Sequence, residues 1–502
     1  MCDKSSHFFS LDELRLATKL RSPDARFLAI DFNQWEPHVM SSLKILNFLA
    51  QSGFKCFYDQ TRFGFFPKFG KPYFGRQTCV QPKWLLKNQM YAPVRYANSF
   101  VSDLIDSEMS NLMFESISSV SDRRGLTGLR KNDFEYGYAL VSSLASTFGR
   151  SELNSGIIRR YAPSLLEDYI KTVNDVYKVI IINQITHLIV FNGRFVKESA
   201  AICAAKAAGI SIVYHEASKS GKFYVSCYSP LSSVGYLELT RFWTNKKNPK
   251  EISDVATTWF KNRMTGQDLD SSAFQKKWLP LKDSNEEKRS ERKQIVIFTT
   301  SDDEFLGVSP DWDLPESQSQ IEWLTKIAVL AISFQYKVVI RLHPNLRTKS
   351  RSLQREWSNL RKLKNVELIK HGESINSYNL INQSDLIISC GSTIAMEAGF
   401  LGKPVLSVGS GVYDSLHAVT KSQDLSFIEK IFIEANFDSI KPIKSKIEVY
   451  GFTETSKFEN FEKNILLSKT FLEDEFFKPS MFNRIVSRIY RDIVFRFDMI
   501  NR

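Results

Sequence analysis

Cysteine is scarce in this chain of 502 residues: six, at Cys2, Cys56, Cys79, Cys203, Cys227 and Cys390, with no two at metal-ligand spacing. That argues against a cysteine metal centre and fits a reduced, cytoplasmic setting. Long apolar runs are lacking as well. No stretch approaches the ~18 apolar residues of a spanning helix, so no membrane crossing is expected. Met1 to Leu16 shows no basic region followed by a continuous apolar core, which makes a poor secretion signal. Acidic residues are outnumbered, leaving a formal net charge of +12. This excess suits an acidic partner: a nucleotide, a phospholipid surface or nucleic acid. What the chain does have is an ordinary globular hydrophobic fraction of 43%. Domains of ~100–200 residues predict two or three of them here.

The stretch from Asn382 to Val408 organises the rest. Leu386 to Ser389 reads as a buried parallel strand. Cys390, Gly391, Ser392 and Thr393 turn the chain. Good helix formers run from Ile394 to Leu401, stopped by Gly402 and Pro404, before a second strand at Val405 to Val408. Strand, turn, helix, strand is a parallel crossover unit. A glycine and two hydroxyl residues opening a helix predict unpaired backbone N–H groups at its positive end, suited to phosphate. Glu397, one helical turn beyond Thr393, is placed to accept from ribose hydroxyls.

Gly391-Ser392-Thr393-Ile394-Ala395-Met396-Glu397 with Gly402-Lys403-Pro404 resembles the donor-nucleotide element of two-domain, GT-B type glycosyltransferases. Phe298 to Phe305, read FTTSDDEF, and Arg341-Leu342-His343-Pro344 are similar to strings in bacterial capsule and surface-polysaccharide biosynthesis proteins, including sugar transferases related to the Kdo enzymes. The match covers roughly 295–412, with a weaker piece near Asn192. It implies two doubly wound, Rossmann-like α/β domains facing across a cleft, and nothing about which sugar. It also puts Arg341 and His343 beside a diphosphate, and Ser301 and Glu304 beside the sugar or its phosphate. His371, ending the third strand, falls near the base.

Ahead of this, Arg26 to Asp31 reads as a strand, Phe32 to His38 as a loop, Val39 to Ser52 as a helix and Lys55 to Tyr58 as a strand, a second doubly wound unit. Asp31 and His38 stand where such sheets meet ligands. Thr61 to Tyr96 is rich in aromatic, basic and Pro/Gly residues and predicts an irregular insertion or lid. His187 to Phe191 is a third strand ending at Asn192, Gly193 and Arg194. Ile210 to Tyr214 is the next, ending at His215 and Glu216. Arg194 can neutralise an anion as a planar fork. Glu216 is the first candidate for a general base, with His38 second. The asparagine-glycine turn and the glutamate at the next strand end resemble the acceptor-side half of the same polysaccharide enzymes, so Asn192, Gly193 and Arg194 are expected on an acceptor side, with Asp31 at its own strand end beside them. Asp302, Asp303 and Glu304 are adjacent acids aimed apart, so no metal is expected.

The resulting division is an acceptor-side domain over 1–285, a charged linker over 286–293, a nucleotide-sugar domain over 294–445 and C-terminal helices over 446–502. In the last segment Phe482, Ile485, Ile489 and Phe497 share a face flanked by Arg484, Arg488 and Arg491. That helix suits docking on the first domain or an anionic membrane surface. The expected activity is glycosyl transfer, hexosyl- or Kdo-type and metal-independent, from a CMP- or UDP-linked sugar to a hydroxyl of a surface glycan or glycolipid. No tightly bound cofactor and no nucleic acid are expected, and the location is cytoplasmic, peripheral to the membrane if the last helix binds it. A nucleotide-sugar epimerase of the same fold, or a basic nucleic-acid- or membrane-binding module without catalysis, stays open as an alternative.

Overall fold

The computed structural model describes residues 23–32, 36–60, 92, 94, 101–149, 153–217, 223–245, 247–266, 292–315, 319–371, 373 and 375–457. Almost all of the aromatic and basic insertion, most of the charged linker and the basic C-terminal helix lie outside the described residues. The chain forms two compact units.

In the first, β1 (Arg26–Asp31), β2 (Lys55–Gln60), β3 (His187–Phe191), β4 (Ser211–Ala217) and β5 (Phe223–Ser226) make one sheet in the order β2-β1-β3-β4-β5. All pairs are parallel except β4 with β5. Helices α1 (Glu36–Gln51), α2 (Ser155–Asn183) and α3 (Val196–Ala207) cover it. β3 is buried at every position, which is why it reads as an unbroken apolar run. Ala200, Ala201, Ala204 and Ala205 are buried on α3, and small side chains there let α2 and α3 lie close. Strand order reverses between β1 and β3, the place where such sheets receive ligands.

Two local expectations change. His38 belongs to α1, which starts at Glu36, and not to a loop. β4 runs on to Ala217 because antiparallel β5 pairs with Tyr214 through Ala217. His215 and Glu216 are therefore strand residues on opposite faces, not end-loop residues.

In the second unit, β6 (Gln294–Phe298), β7 (Lys337–Arg341), β8 (Val366–Ile369), β9 (Leu386–Cys390), β10 (Val405–Gly409) and β11 (Thr420–Lys421) form a parallel sheet in the order β11-β10-β9-β6-β7-β8. Counted from β8, that is third, second, first, fourth, fifth, sixth, the doubly wound order with its reversal between β6 and β9. Alternate strand residues feed two layers: Ile295 and Ile297 pack with Trp323 and Leu324, Val296 and Phe298 with Met396 and Tyr413. Helices α4 (Ser233–Thr244), α5 (Pro249–Met264), α6 (Gln320–Ser333), α7 (Ser377–Gln383), α8 (Ile394–Phe400), α9 (Leu425–Glu434) and α10 (Lys444–Ser456) are among the helices of this unit. Ser319 and Glu322 close a reciprocal capping box at the start of α6.

The sequence reading carries the first domain to 285, yet α4 and α5 belong to the second unit, as does α10. Packing explains the difference. Phe260 of α5 is fully buried and stacks on Phe400 of α8 at 4.4 Å and 15°. A Cβ added at Gly451 of α10 would lie 2.7 Å from the Phe260 ring, so glycine lets the two helices meet. Tyr236 of α4 donates to Glu454 at 2.9 Å. An amphipathic pattern shows which face a helix buries, not against what. No helix among the described residues is long and apolar enough to cross a membrane.

Candidate functional site

An open cavity of about 170 Å³ lies at the carboxyl ends of β6, β7 and β9 in the second unit. Thr299 follows β6 into it, Arg341 ends β7 and His343 follows it, Tyr378 comes from α7, Ser392, Thr393, Ile394 and Glu397 from the turn into α8, and Arg263 from the end of α5. The turn depends on glycine. Gly391 has φ +78°, and a Cβ there would fall 2.1 Å from the Ser410 carbonyl oxygen. Its amides are less open than the sequence suggests. The Ser392 N–H donates to Ser389 Oγ at 3.1 Å, and the Ile394 N–H to Ser392 Oγ at 3.4 Å. Tyr413 fixes the same turn by donating to the Ser392 carbonyl at 2.8 Å.

Glu397 is buried and held from several sides. Arg263 donates to Oε1 through Nε at 3.0 Å and Nη2 at 2.8 Å, and Tyr378 donates to Oε2 at 2.6 Å. Thr393 Oγ1 is 3.5 Å from Oε1. Burial opposes the Arg263 charge, but the adjacent carboxylate outweighs it and holds the guanidinium pKa above its ordinary value. The ribose-binding carboxylate expected from sequence is thus the counter-ion of an arginine. Sequence reasoning missed Arg263. A basic residue in the last turn of a helix reads as a dipole partner, and nothing local distinguishes it.

Arg341 is buried and spends two donors on backbone, Nη1 on the Lys370 carbonyl at 2.9 Å and Nη2 on Glu373 at 3.2 Å. It ties the end of β7 to the segment after β8. Burial lowers its pKa to about 10, so it keeps its charge at neutral pH. The His343 backbone N–H donates to Thr299 Oγ1 at 2.8 Å, and its Nδ1 accepts from the Asn345 N–H at 3.2 Å. Burial pushes the ring pKa down to about 4. At pH 7 the ring is neutral, with its proton on Nε2.

Ser301, Glu304 and His371 are outside the lining of this cavity. Ser301 Oγ donates to Asp303 at 2.6 Å, Asp303 pairs with Lys349, and Glu304 accepts from Asn345 Nδ2. Asp303 and Glu304 thus turn to separate partners.

In the first unit the structure gathers Asp31 and His38 with the strand residue His215 and with Ser42 and Tyr58, which the sequence does not single out. Asp31 Oδ1 accepts from Ser42 at 2.8 Å and Oδ2 from Tyr58 at 3.0 Å, and Ser42 Oγ lies 3.0 Å from His215 Nε2. The His38 ring rests on Phe191, 3.6 Å between centroids, and 6.4 Å from His215. Burial pushes Asp31 up to about 7 and His215 down to about 3, and burial with His215 beside it pushes His38 down to about 2. His38, Ser41 and Ser42 are polar positions on the buried face of α1 among Val39, Leu43 and Leu46. That misfit was the available signal. Glu216 is half-buried, and its Oε2 accepts from Asn192 Nδ2 at 3.3 Å. Gly193 has φ +89°, the Arg194 N–H donates to Asn192 Oδ1 at 3.3 Å, and the Arg194 guanidinium lies over the Phe195 ring at 4.6 Å. Glu198 of α3, also missed, is buried and pushed up to about 7 by burial.

No protein-family model and no curated protein sequence matches the chain. Among solved structures it is similar to KpsC beta Kdo 2,4 transferase of Thermosulfurimonas dismutans, at 13% identity and TM-score 0.34 over 54% of this chain and 79% of that one. It is similar to S. aureus MnaA with UDP, at 12% and 0.31 over 86% and 94%. It is also similar to UDP-GlcNAc 2-epimerase of Neisseria meningitidis bound to UDP-GlcNAc, at 14% and 0.28 over 86% and 98%. At these values, function rests on the site's own residues.

Proposed function

We propose that the chain is a glycosyltransferase moving a sugar from a nucleotide-activated donor, CMP- or UDP-linked, to a hydroxyl of a cell-surface polysaccharide or glycolipid. The observation that carries this is the cavity at the strand-order reversal of the second unit, where Arg263, Glu397 and Tyr378 are locked together beside Arg341 and His343. In this reading the leaving phosphate collects negative charge as the bond to the anomeric carbon breaks. The charges of Arg263 and Arg341 and the N–H of a neutral His343 stabilise it. Cationic side chains do this, and no metal is required. Glu397 positions Arg263. It accepts a ribose hydroxyl through Oε2 by sharing that oxygen with Tyr378, since a carboxylate oxygen carries two lone pairs.

The first unit presents the acceptor. Glu216, held by Asn192, takes the proton of the attacking hydroxyl. The setting is the cytoplasm, at the inner membrane face where the acceptor grows.

Incubation of the full chain with a panel of CMP- and UDP-sugars tests the reading. Release of free nucleotide, increased by acceptor glycan, is expected. Glu216→Gln should lower turnover ~10²-fold or more while leaving donor binding unchanged, and full turnover in that variant refutes the base assignment. An isomerised donor without net nucleotide release points to the epimerase reading instead.

A further inference from the structure

Asp31 at the end of β1, Ser42 of α1 and His215 within β4 meet, and all three are closed to solvent. Their protons can be counted. Asp31 accepts from both Ser42 and Tyr58, as a carboxylate does. Ser42 has one proton and gives it to Asp31, so toward His215 its oxygen accepts. The ring proton is then on Nε2, and Nδ1 keeps its lone pair. That nitrogen is buried without a hydrogen-bond partner among the described residues. The result is a one-way chain of donors that begins at an open base and ends on a buried carboxylate.

We propose that Asp31, Ser42 and His215 form a proton relay in which a proton taken at His215 Nδ1 comes to rest on Asp31. The step balances. An N–H bond forms at Nδ1, the Nε2 proton moves to Ser42 Oγ, and the Ser42 proton moves to Asp31 Oδ1. The ring ends neutral in its other tautomer, and the carboxylate is the only group whose charge changes.

Burial makes this route preferable to an imidazolium, because it disfavours a charged His215 and favours a protonated Asp31. The neighbours agree. His38 from α1 approaches as a neutral ring, and Tyr58 from β2 donates to the carboxylate. Glu198 from α3 lies within electrostatic reach of Asp31, whose charge disfavours ionisation of Glu198, while Lys197 and Arg194 favour the Glu198 carboxylate. The relay rests on the transfer reading for its purpose. When an acceptor oxygen bonds the anomeric carbon and the carbon–phosphate oxygen bond breaks toward phosphate, the hydroxyl proton needs a destination. The relay gives the first unit a buried one besides Glu216, and the same hops run in reverse, from Asp31 through Ser42 to His215 Nδ1, clear the carboxyl between turnovers.

Nitrogen-15 NMR of the full chain, labelled at its seven histidines, tests this without any substrate. His215→Gln identifies the resonance and keeps an N–H for Ser42. The expected result is an Nε2–H tautomer at pH 8 that becomes an Nδ1–H tautomer, not an imidazolium, as pH falls through about 7. Asp31→Asn should abolish the exchange, and Tyr58→Phe should retain it with a higher midpoint, since the carboxylate loses a donor. Titration of His215 to an imidazolium, or one tautomer throughout in the native chain, overturns the relay. So does an unmoved midpoint in Tyr58→Phe. Failure of nucleotides to bind would sink the transfer reading and leave this result standing, and the reverse also holds.

Discussion

Both sheets set polar side chains at the carboxyl ends of strands beside the point where strand order reverses, and they treat charge in opposite ways. In the second unit the charges are permanent and matched: Arg263 with Glu397, Lys349 with Asp303, Arg341 on carbonyls. In the first, burial drives the groups toward neutrality, with Asp31 and Glu198 pushed up and His38 and His215 pushed down. A fixed cation suits a ligand that always carries negative charge. A set of near-neutral groups suits the gain and loss of a proton. On the proposed transfer reading, the second unit would hold the charged leaving group and the first would handle the proton.

That contrast can be broken most forcefully at Arg263. Arg263→Met leaves Glu397 buried without its counter-ion and should cost about 3–5 kcal/mol, read as an earlier urea transition of the second unit. The double variant Arg263→Met with Glu397→Gln should recover most of the loss. Double-variant stability equal to the sum of the singles would show the two are not coupled.

The first unit should answer to pH instead. The folded-state pKa of Asp31 is raised, so its carboxyl stabilises the fold fully only below the unfolded value. That contribution is lost as pH rises from 3.8 through about 7. Asp31→Asn removes this loss. Its stability relative to the native chain should rise between pH 4 and pH 8 by on the order of 4 kcal/mol, measured by urea unfolding at each pH. A pH-independent difference would contradict the assigned burial.

The smallest effect belongs to Tyr378. Its hydroxyl bonds a carboxylate already satisfied by Arg263, and Tyr378→Phe should cost about 1.5–3 kcal/mol with no change in pH dependence. A loss as large as that of Arg263→Met would mean that the phenol, not the guanidinium, holds Glu397.

Much of the architecture is legible in the sequence because parallel strands buried on both faces are written as apolar runs. His187–Phe191 appears where it was expected, and the strand expected over Leu386–Ser389 runs one residue further, to Cys390. Gly391 is legible too, since only glycine fits against the Ser410 carbonyl. β5, four residues long, leaves too short a pattern, and without it β4 looks finished at Tyr214. The partners of α5 are illegible because Phe260 finds Phe400 through tertiary packing 140 residues away in sequence, as numbered in the chain. The same holds for the site. Glu397 stands out in its motif, whereas Arg263, Ser42 and His215 gain their meaning from what they touch.

The central claim, a nucleotide site in the second unit, is tested most directly by thermal unfolding of the full chain with CMP, UDP, GDP, ADP or dTDP, repeated with Thr393→Trp. Thr393 is exposed at the cavity lining, so tryptophan there should block the cavity without lowering the ligand-free Tm. One nucleotide should raise the Tm of the native chain, as a ligand of the folded state must, and fail to raise that of Thr393→Trp. No shift with any nucleotide, or a shift that survives the tryptophan, would contradict the site.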